Sequence, residues 1–211
     1  MIKVQNIQID GPAGRLEGLL KFREAGRPAA LAVICHPHPL YQGTMHNKVV
    51  FATAEAFFNL GCHVLRFNFR GVGLSAGSHD DGRGEVDDAL AAVGFLRQLL
   101  PNLPCHIAGF SFGAGIALQA AHRDLQIASV TAVAPSLRHI DSAFLTMLTT
   151  PKLFLQGTAD DVCPPEQLRE RYPPVAEPKA VVWFEGAGHF FHLQLDQLKT
   201  SIAGQRQFLG L

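Results

Sequence analysis

The sequence predicts an α/β fold built on a mostly parallel sheet with helices on both faces, and three observations support this prediction. Short apolar segments rich in β-branched and aromatic residues alternate along the chain with segments of helical periodicity. Several of the short segments are continuously apolar, which is typical of strands that helices cover on both sides. The N-terminal segment instead contains two strand-like runs around a Gly-Pro/Gly turn, which indicates an antiparallel edge.

The predicted elements follow one another in a simple order. The first two strands lie within 4–22, on either side of the N-terminal turn. Apolar runs predict the remaining strands at 30–37, 62–71, 105–111, 127–136, 152–157 and 180–186. Helical spacing predicts helices at 47–61, 84–100, 113–124 and, near the C-terminus, 191–209. Gly61 and Pro101 are ordinary stop signals for the first two helices.

Length and composition are those of one sizeable domain with a buried core. The chain has 211 residues, of which 47% are hydrophobic, and 15 of them are phenylalanine. It contains neither an internal repeat nor an obvious linker, so we expect a single domain over 1–211. Lys plus Arg and Asp plus Glu both number 18. Since no basic block stands out, we expect no nucleic-acid partner.

The N-terminus and the cysteines predict the compartment. The chain does not start with the basic region and apolar run of a signal peptide. No stretch approaches the roughly 18 consecutive apolar residues of a membrane span. The four cysteines are widely spaced and form no CxxC pair: Cys35, Cys62, Cys105 and Cys163. We therefore expect a reduced, cytoplasmic protein without a disulfide framework.

The segment CHIAGFSFGAGIAL, residues 105–118, carries two competing motifs. Its Gly-x-x-x-Gly-x-Gly spacing is found in dinucleotide-binding turns, which normally follow the first strand of a fold. The short-chain dehydrogenase version also needs Tyr-x-x-x-Lys, and here Met45 follows Tyr41 while Ala176 follows Tyr172. Gly-x-Ser-x-Gly between a strand and a helix is instead typical of a nucleophile elbow presenting Ser111. We therefore expect a nucleophilic serine and no cofactor.

A serine nucleophile requires a base and a group that orients the base. Polar turns follow two later strands, and they carry Asp160 and Asp161 in one case and His189 in the other. Because the carboxyl ends of parallel strands meet at one edge of a sheet, we expect these side chains to lie near Ser111. The chain order serine, acid, histidine is the one that accompanies a nucleophile elbow.

Four stretches resemble the α/β hydrolases, in particular the small bacterial hydrolases that carry a His-Pro-His-Pro loop. They are CHPHPLYQGTMHNKVV, LRFNFRGVGLSAG, GFSFGAG, and QGTADDVCPP with GAGHFF, and they cover nearly the whole chain from about residue 30 to 192. The resemblance implies an α/β-hydrolase fold with Ser111 as nucleophile, Asp160 as acid and His189 as general base. Asp161 and His192 are the weaker alternatives for the acid and the base.

The oxyanion hole of such hydrolases uses two backbone N–H groups. One belongs to the residue after the nucleophile, here Phe112. The other comes from the loop after the first parallel strand, CHPHPLYQG, in which the two prolines have no N–H. The remaining donors are His38, Leu40 and Tyr41, and the resemblance favours His38.

Only about fifteen residues separate the strands predicted at 127–136 and 152–157, which is too short for a lid domain. We therefore expect minimal or no cap and an open, shallow site. Its lining is expected to be apolar and to suit an acyl group of small to medium size. The candidate lining side chains are Tyr41, Phe110, Phe112, Phe144, Leu145 and Met147.

The sequence therefore predicts a serine hydrolase of carboxylesterase type that cleaves a small-molecule ester, with a thioester as second choice, through an acyl-enzyme intermediate. A metal-dependent hydrolase using His36 and His38 is one alternative, since His-x-His at a strand end can bind a metal. A non-catalytic binding protein is the other, because a fold alone does not settle function. We expect no metal, and the sequence leaves a homodimer open.

Overall fold

The computed structural model describes residues 1–137 and 140–211. Its N-terminal strands, β1 (Ile2–Gly11) and β2 (Gly14–Arg23), form an antiparallel hairpin that places β1 at one edge of the sheet. Gly14 closes the turn at φ 113°, a conformation that favours glycine. Strand β2 also pairs antiparallel with its other neighbour in the sheet, β4 (Cys62–Phe67). The predicted antiparallel N-terminal edge is therefore confirmed.

The remaining strands form the parallel part of an eight-stranded sheet. They are β3 (Ala30–Cys35), β4 (Cys62–Phe67), β5 (Cys105–Phe110), β6 (Ile127–Val133), β7 (Lys152–Gly157) and β8 (Lys179–Phe184). The strand order is β1-β2-β4-β3-β5-β6-β7-β8. Every residue of β3, β5 and β7 is buried, as expected for strands that helices cover on both sides.

Helices cover both faces of the sheet, as predicted. The helices are α1 (Lys48–Asn59), α2 (Arg83–Leu99), α3 (Phe112–Arg123), α4 (Ser142–Leu145), α5 (Pro165–Arg171), α6 (Leu195–Gly204) and α7 (Arg206–Leu209). Apolar side chains of α2 and α3 build one core, and those of α1, α6 and α7 build the other. The mostly parallel sheet therefore separates two hydrophobic cores.

Some predicted boundaries were wrong. The strands predicted at 30–37, 62–71 and 127–136 end at Cys35, Phe67 and Val133, because the residues after them leave the sheet as loops. The single helix predicted over 191–209 begins only at Leu195 and breaks at Gln205. Phe191 and Leu193 have φ of 50° and 63°, which a right-handed helix does not permit.

The connection between β6 and β7 contains only the short helix α4 in its described part. A lid domain would need far more chain, so the prediction of minimal or no cap is confirmed. Within the same described ranges, none of the helices has the length and apolar character needed to cross a bilayer.

Candidate active site

The carboxyl ends of three parallel strands bring the candidate catalytic side chains together. Ser111 follows β5 directly, Asp160 lies in the turn after β7, and His189 lies in the loop after β8. All three residues are buried, with 8%, 3% and 5% of their surface exposed, respectively. This edge of the sheet is where ligands bind in open α/β folds.

Ser111 occupies a tight turn between strand and helix. Its φ of 56° and ψ of −117° are unusual for a non-glycine residue, and α3 starts at the next residue. A Cβ on Gly109 would lie 2.1 Å from the Gly113 carbonyl oxygen, and one on Gly113 would lie 2.4 Å from that of His36. The flanking glycines therefore permit the close approach of the strand, helix and neighbouring loop backbones.

A chain of hydrogen bonds joins Asp160, His189 and Ser111. His189 Nδ1 lies 2.8 Å from Asp160 Oδ2, and His189 Nε2 lies 3.1 Å from Ser111 Oγ. Because a carboxylate only accepts, the imidazole holds its proton on Nδ1 and turns the Nε2 lone pair toward the serine. In this geometry His189 Nε2 can accept the serine proton. A non-catalytic binding protein would be favoured if these two atoms lay beyond hydrogen-bond reach, and they do not.

Asp160 is itself fixed by donors from its own turn. Its Oδ1 accepts from the backbone amides of Val162 at 3.0 Å and Cys163 at 2.7 Å. Its Oδ2 accepts from Gln156 Nε2 at 3.2 Å in addition to His189. These donors satisfy the hydrogen-bonding capacity of the buried carboxylate and fix its direction toward the imidazole.

The two alternative residues lie elsewhere. Asp161 is exposed, whereas Asp160 points into the protein. His192 is also exposed, and its ring nitrogens contact Lys48 Nζ, the nearer at 2.9 Å. Neither residue joins the hydrogen-bonded chain.

His36 serves the structure of the loop after β3. Its Nε2 accepts from the Phe69 amide at 3.0 Å, and its Nδ1–H donates to the Pro37 carbonyl at 2.6 Å. Burial lowers the pKa of His36 to about 4, so the ring is neutral near pH 7. Both nitrogens are in use, which argues against the metal hypothesis. Across the described chain, no three His, Cys, Asp or Glu side chains are grouped as metal ligands.

The loop amides narrow the choice of oxyanion donor. Leu40 N donates to His38 Nδ1 at 3.2 Å, and Tyr41 N donates to the His38 carbonyl at 3.1 Å. Two of the three sequence candidates therefore donate within the loop, and His38 stays the candidate that the family resemblance favours. The other candidate donor, the Phe112 amide, is at the first position of α3, where N–H groups have no partner inside the helix.

A cavity of about 690 Å³ opens beside Ser111. Two of the predicted lining residues, Tyr41 and Phe112, do line it. The structure adds residues that the sequence did not indicate: His38, His79, Asp81, Gly82, Arg83, Gly115, Ile116, Gln119, Ser136, Ile140, Val162 and Cys163. Helical spacing from Phe112 could have found Gly115, Ile116 and Gln119, because all lie on one face of α3.

Four predicted lining residues were misplaced. Phe110 is buried in the core on the α1 side of the sheet, where its ring packs 4.8 Å from that of His189. Phe144 packs on His122, and Leu145 is buried in the opposite core. Met147 is 61% exposed and does not line the cavity. The short helix α4 turns its apolar side toward the core, so Ser136 and Ile140 line the cavity instead.

The fold and the site together define a class of protein. An elbow serine after one strand, with an acid and a histidine after later strands, is the arrangement of the α/β hydrolases. A family model described as the α/β-hydrolase fold matches residues 42–146. The chain therefore belongs to the α/β-hydrolase family, and within it to the small lidless bacterial type.

Individual relatives agree with that assignment. The structure of an α/β serine hydrolase homologue from Coxiella burnetii is 38% identical, with a TM-score of 0.90, and the match covers 95% of this chain and 96% of that chain. A serine hydrolase without a lid from Xanthomonas campestris is 33% identical, with a TM-score of 0.89 over 97% of this chain and 94% of that chain. An uncharacterized protein of Rickettsia prowazekii is 37% identical over 93% of this chain and 86% of its own length.

Proposed function

We propose that this protein is a serine hydrolase of carboxylesterase type that cleaves a small-molecule ester through an acyl-enzyme intermediate. The observation that carries the proposal is the chain of two hydrogen bonds, 2.8 Å and 3.1 Å long, from Asp160 through His189 to Ser111. Nucleophile, base and orienting acid are the three roles that serine-dependent acyl transfer needs.

In the proposed mechanism Ser111 Oγ attacks the acyl carbon while its proton passes to His189 Nε2 and the carbonyl electron pair moves onto oxygen. When the tetrahedral intermediate collapses, the alkoxide leaves with the proton from His189, and the acyl group stays on Ser111. Water then attacks the acyl-enzyme and gives its proton to His189. The second collapse releases the acid and restores the serine hydroxyl.

The Phe112 and His38 amides are the proposed donors to the oxyanion. The N-terminus of α3 adds its positive dipole end at the same point, since the helix begins immediately after Ser111. Removing one oxyanion donor typically costs roughly a hundred- to thousandfold in kcat.

The cavity supports a substrate with an apolar acyl group of small to medium size. Its lining combines the apolar side chains of Ile116, Ile140 and Val162 with the charged side chains of Asp81 and Arg83. Because no lid closes over the cavity, the leaving group can extend into solvent. We therefore expect short and medium acyl chains to react faster than long ones.

A fluorophosphonate probe and a series of p-nitrophenyl esters of graded chain length test the proposal. We expect the wild-type protein to be labelled and to hydrolyse the shorter esters, and Ser111→Ala to do neither. Ser201→Ala, which removes a serine hydroxyl from α6, is the matched control and should behave as wild type. Equal labelling of wild type and Ser111→Ala, or no hydrolysis of any ester, would contradict the proposal.

A reduced compartment such as the cytoplasm is part of the proposal. All four cysteines are buried, and no disulfide joins any of them. Burial raises the pKa of Cys62 and that of Cys105 to about 12, and it also raises the pKa of Cys35. Thiols with such raised pKa values carry little thiolate and are poor nucleophiles, as expected for packing residues.

A further inference from the structure

Three aromatic rings meet above the two proposed oxyanion donors. The His38 ring lies 4.8 Å from that of Phe112 and 4.9 Å from that of His79, between ring centroids. The His79 and Phe112 rings are 5.8 Å apart. His79 comes from the loop before α2, so it is the one member of this ring cluster that supplies no proposed oxyanion amide.

His79 is held by a second carboxylate. Its Nδ1 lies 2.8 Å from Oε1 of Glu85, which is fully buried. Glu85 also accepts from the amides of Asp80 at 2.9 Å and Gly82 at 2.8 Å. On the other side of the ring, Nε2 lies 3.5 Å from the exposed carboxylate of Asp81. The ring is therefore fixed at the cavity wall by a buried, fully bonded anchor.

We propose that His79 is a positioning residue for the oxyanion hole. Its anchored ring packs against the side chains of both His38 and Phe112. It therefore holds the loop that carries one proposed donor amide and the start of α3, which carries the other, at a fixed separation. The inference rests on the proposed function, because positioning has meaning only if those amides face an oxyanion. A misplacement of about 1 Å at such a site can cost about a hundredfold in rate.

Two substitutions separate the ring of His79 from its hydrogen bond. His79→Phe keeps an aromatic ring in the cluster and loses the bond to Glu85. His79→Asn removes the ring but keeps a short donor that can reach Glu85, which avoids leaving a buried carboxylate without that partner. If packing positions the amides, the Phe variant retains more activity than the Asn variant.

The experiment measures kcat and KM with a p-nitrophenyl ester, together with inhibition by an aryl trifluoromethyl ketone. Ser111 Oγ adds to the ketone carbon, its proton passes to His189, and the carbonyl pair becomes an oxyanion in the same position as in the reaction. For His79→Asn we expect kcat to fall about tenfold to a hundredfold, KM to stay within about threefold, and ketone affinity to fall in parallel with kcat. His79→Phe, which keeps the ring but loses its anchor, should lose less kcat than His79→Asn.

His46→Asn is the control, since His46 is an exposed histidine that follows the oxyanion loop and lies outside the ring cluster. It should match wild type in every measurement. Unchanged kcat in His79→Asn, or loss of kcat in His79→Phe with retention in His79→Asn, would overturn the inference. Equal losses in both variants would overturn it too, because they assign the effect to the imidazole nitrogens.

Failure of the inference can be told from failure of the proposed function. Fluorophosphonate labelling of Ser111 and ester turnover by the wild-type protein establish the function independently of His79. When the wild-type protein shows both labelling and turnover, the kinetics of the His79 variants test the inference separately from the function. Thermal unfolding of each variant shows whether it is folded. A wild-type protein that neither labels nor turns over esters overturns the proposed function and this role of His79 with it.

Discussion

Asp160 and Asp161 are adjacent in sequence, yet they have opposite environments. Asp160 accepts from two backbone amides, a glutamine and the imidazole, whereas Asp161 is exposed to solvent. Because Asp160 Oδ2 accepts from His189 Nδ1, it favours the tautomer of His189 that carries its proton on Nδ1. A neighbouring carboxylate with identical chemistry cannot replace it, because it faces away from the ring.

Replacing Asp160 by Asn tests this role. An amide NH₂ facing His189 Nδ1 would place the ring proton on Nε2, which then could not accept from Ser111. We expect kcat for ester hydrolysis to fall by about 10⁴-fold with little change in the thermal midpoint. Asp161→Asn is the matched control and should retain wild-type kcat. Comparable losses in the two variants would argue against the assignment of Asp160.

At the scale of elements, the turn between β5 and α3 depends on glycine for reasons that differ along the motif. Gly109 and Gly113 have backbone atoms within 2.6 Å of the position a Cβ would take. Gly115 is less restricted, since its nearest neighbour is the end of the Ile140 side chain at 3.0 Å, and it lines the cavity. Gly115, the third glycine of the spacing found in dinucleotide-binding turns, therefore leaves space for the cavity.

Alanine substitutions at two glycines within helices, one closely packed and one not, test the effect of this packing on stability. In Gly113→Ala the added methyl would meet the backbone of Cys35 and His36, so we expect a loss of about 3 kcal/mol in unfolding free energy, or failure to fold. Gly94 in α2 has nothing within 4 Å of the same position. Gly94→Ala should therefore stabilise the protein by about 0.5–1 kcal/mol. Urea denaturation measures both, and similar effects in the two variants would refute the argument.

Comparison of the predicted and observed elements also shows where the spacing of apolar residues identifies a strand or helix and where it does not. The strand at 152–157 was predicted with the bounds that β7 has, because its apolar centre, Leu153–Leu155, is followed by a polar turn. The segment 191–194 was misassigned to the last helix, although its apolar spacing suits one. Phe191 is buried and packs on Phe184, whereas Leu193 is fully exposed, yet both have left-handed conformations that their apolar spacing does not indicate.

At the scale of the whole molecule, the sheet separates two cores that each contain a buried histidine. His36 and His106 are both fully buried, and burial lowers the pKa of each to about 4. The Nδ1 of His106 pairs with Ser129 Oγ at 2.7 Å, and its Nε2 has no hydrogen-bond partner in the described part of the chain. Protonating either ring would place a charge in an apolar interior.

These shifts predict acid destabilisation. Between the ordinary pKa of 6.5 and about 4, the unfolded chain binds a proton at each histidine that the folded chain does not. The free energy of unfolding therefore falls as pH decreases through this window, by about 3 kcal/mol per histidine. Urea denaturation from pH 7 to 4 should show a shallower decline for His106→Gln than for wild type. The exposed His46→Gln serves as control, and identical slopes in His106→Gln and wild type would contradict the prediction.

The sequence by itself determined the order of the strands, the helices α1, α2 and α3, the antiparallel edge, the absence of a lid domain and the strand ends that carry Ser111, Asp160 and His189, but it did not indicate α4 or α5. Each of these depends on local periodicity, on glycine at a tight turn, or on the rule that parallel strands end at one edge. Only the tertiary structure decided which side chains line the cavity, which aspartate meets the histidine, and that His79 packs on His38 and Phe112. Those contacts join residues far apart in the chain, and the packing of loops against the sheet selects them, which no local pattern records.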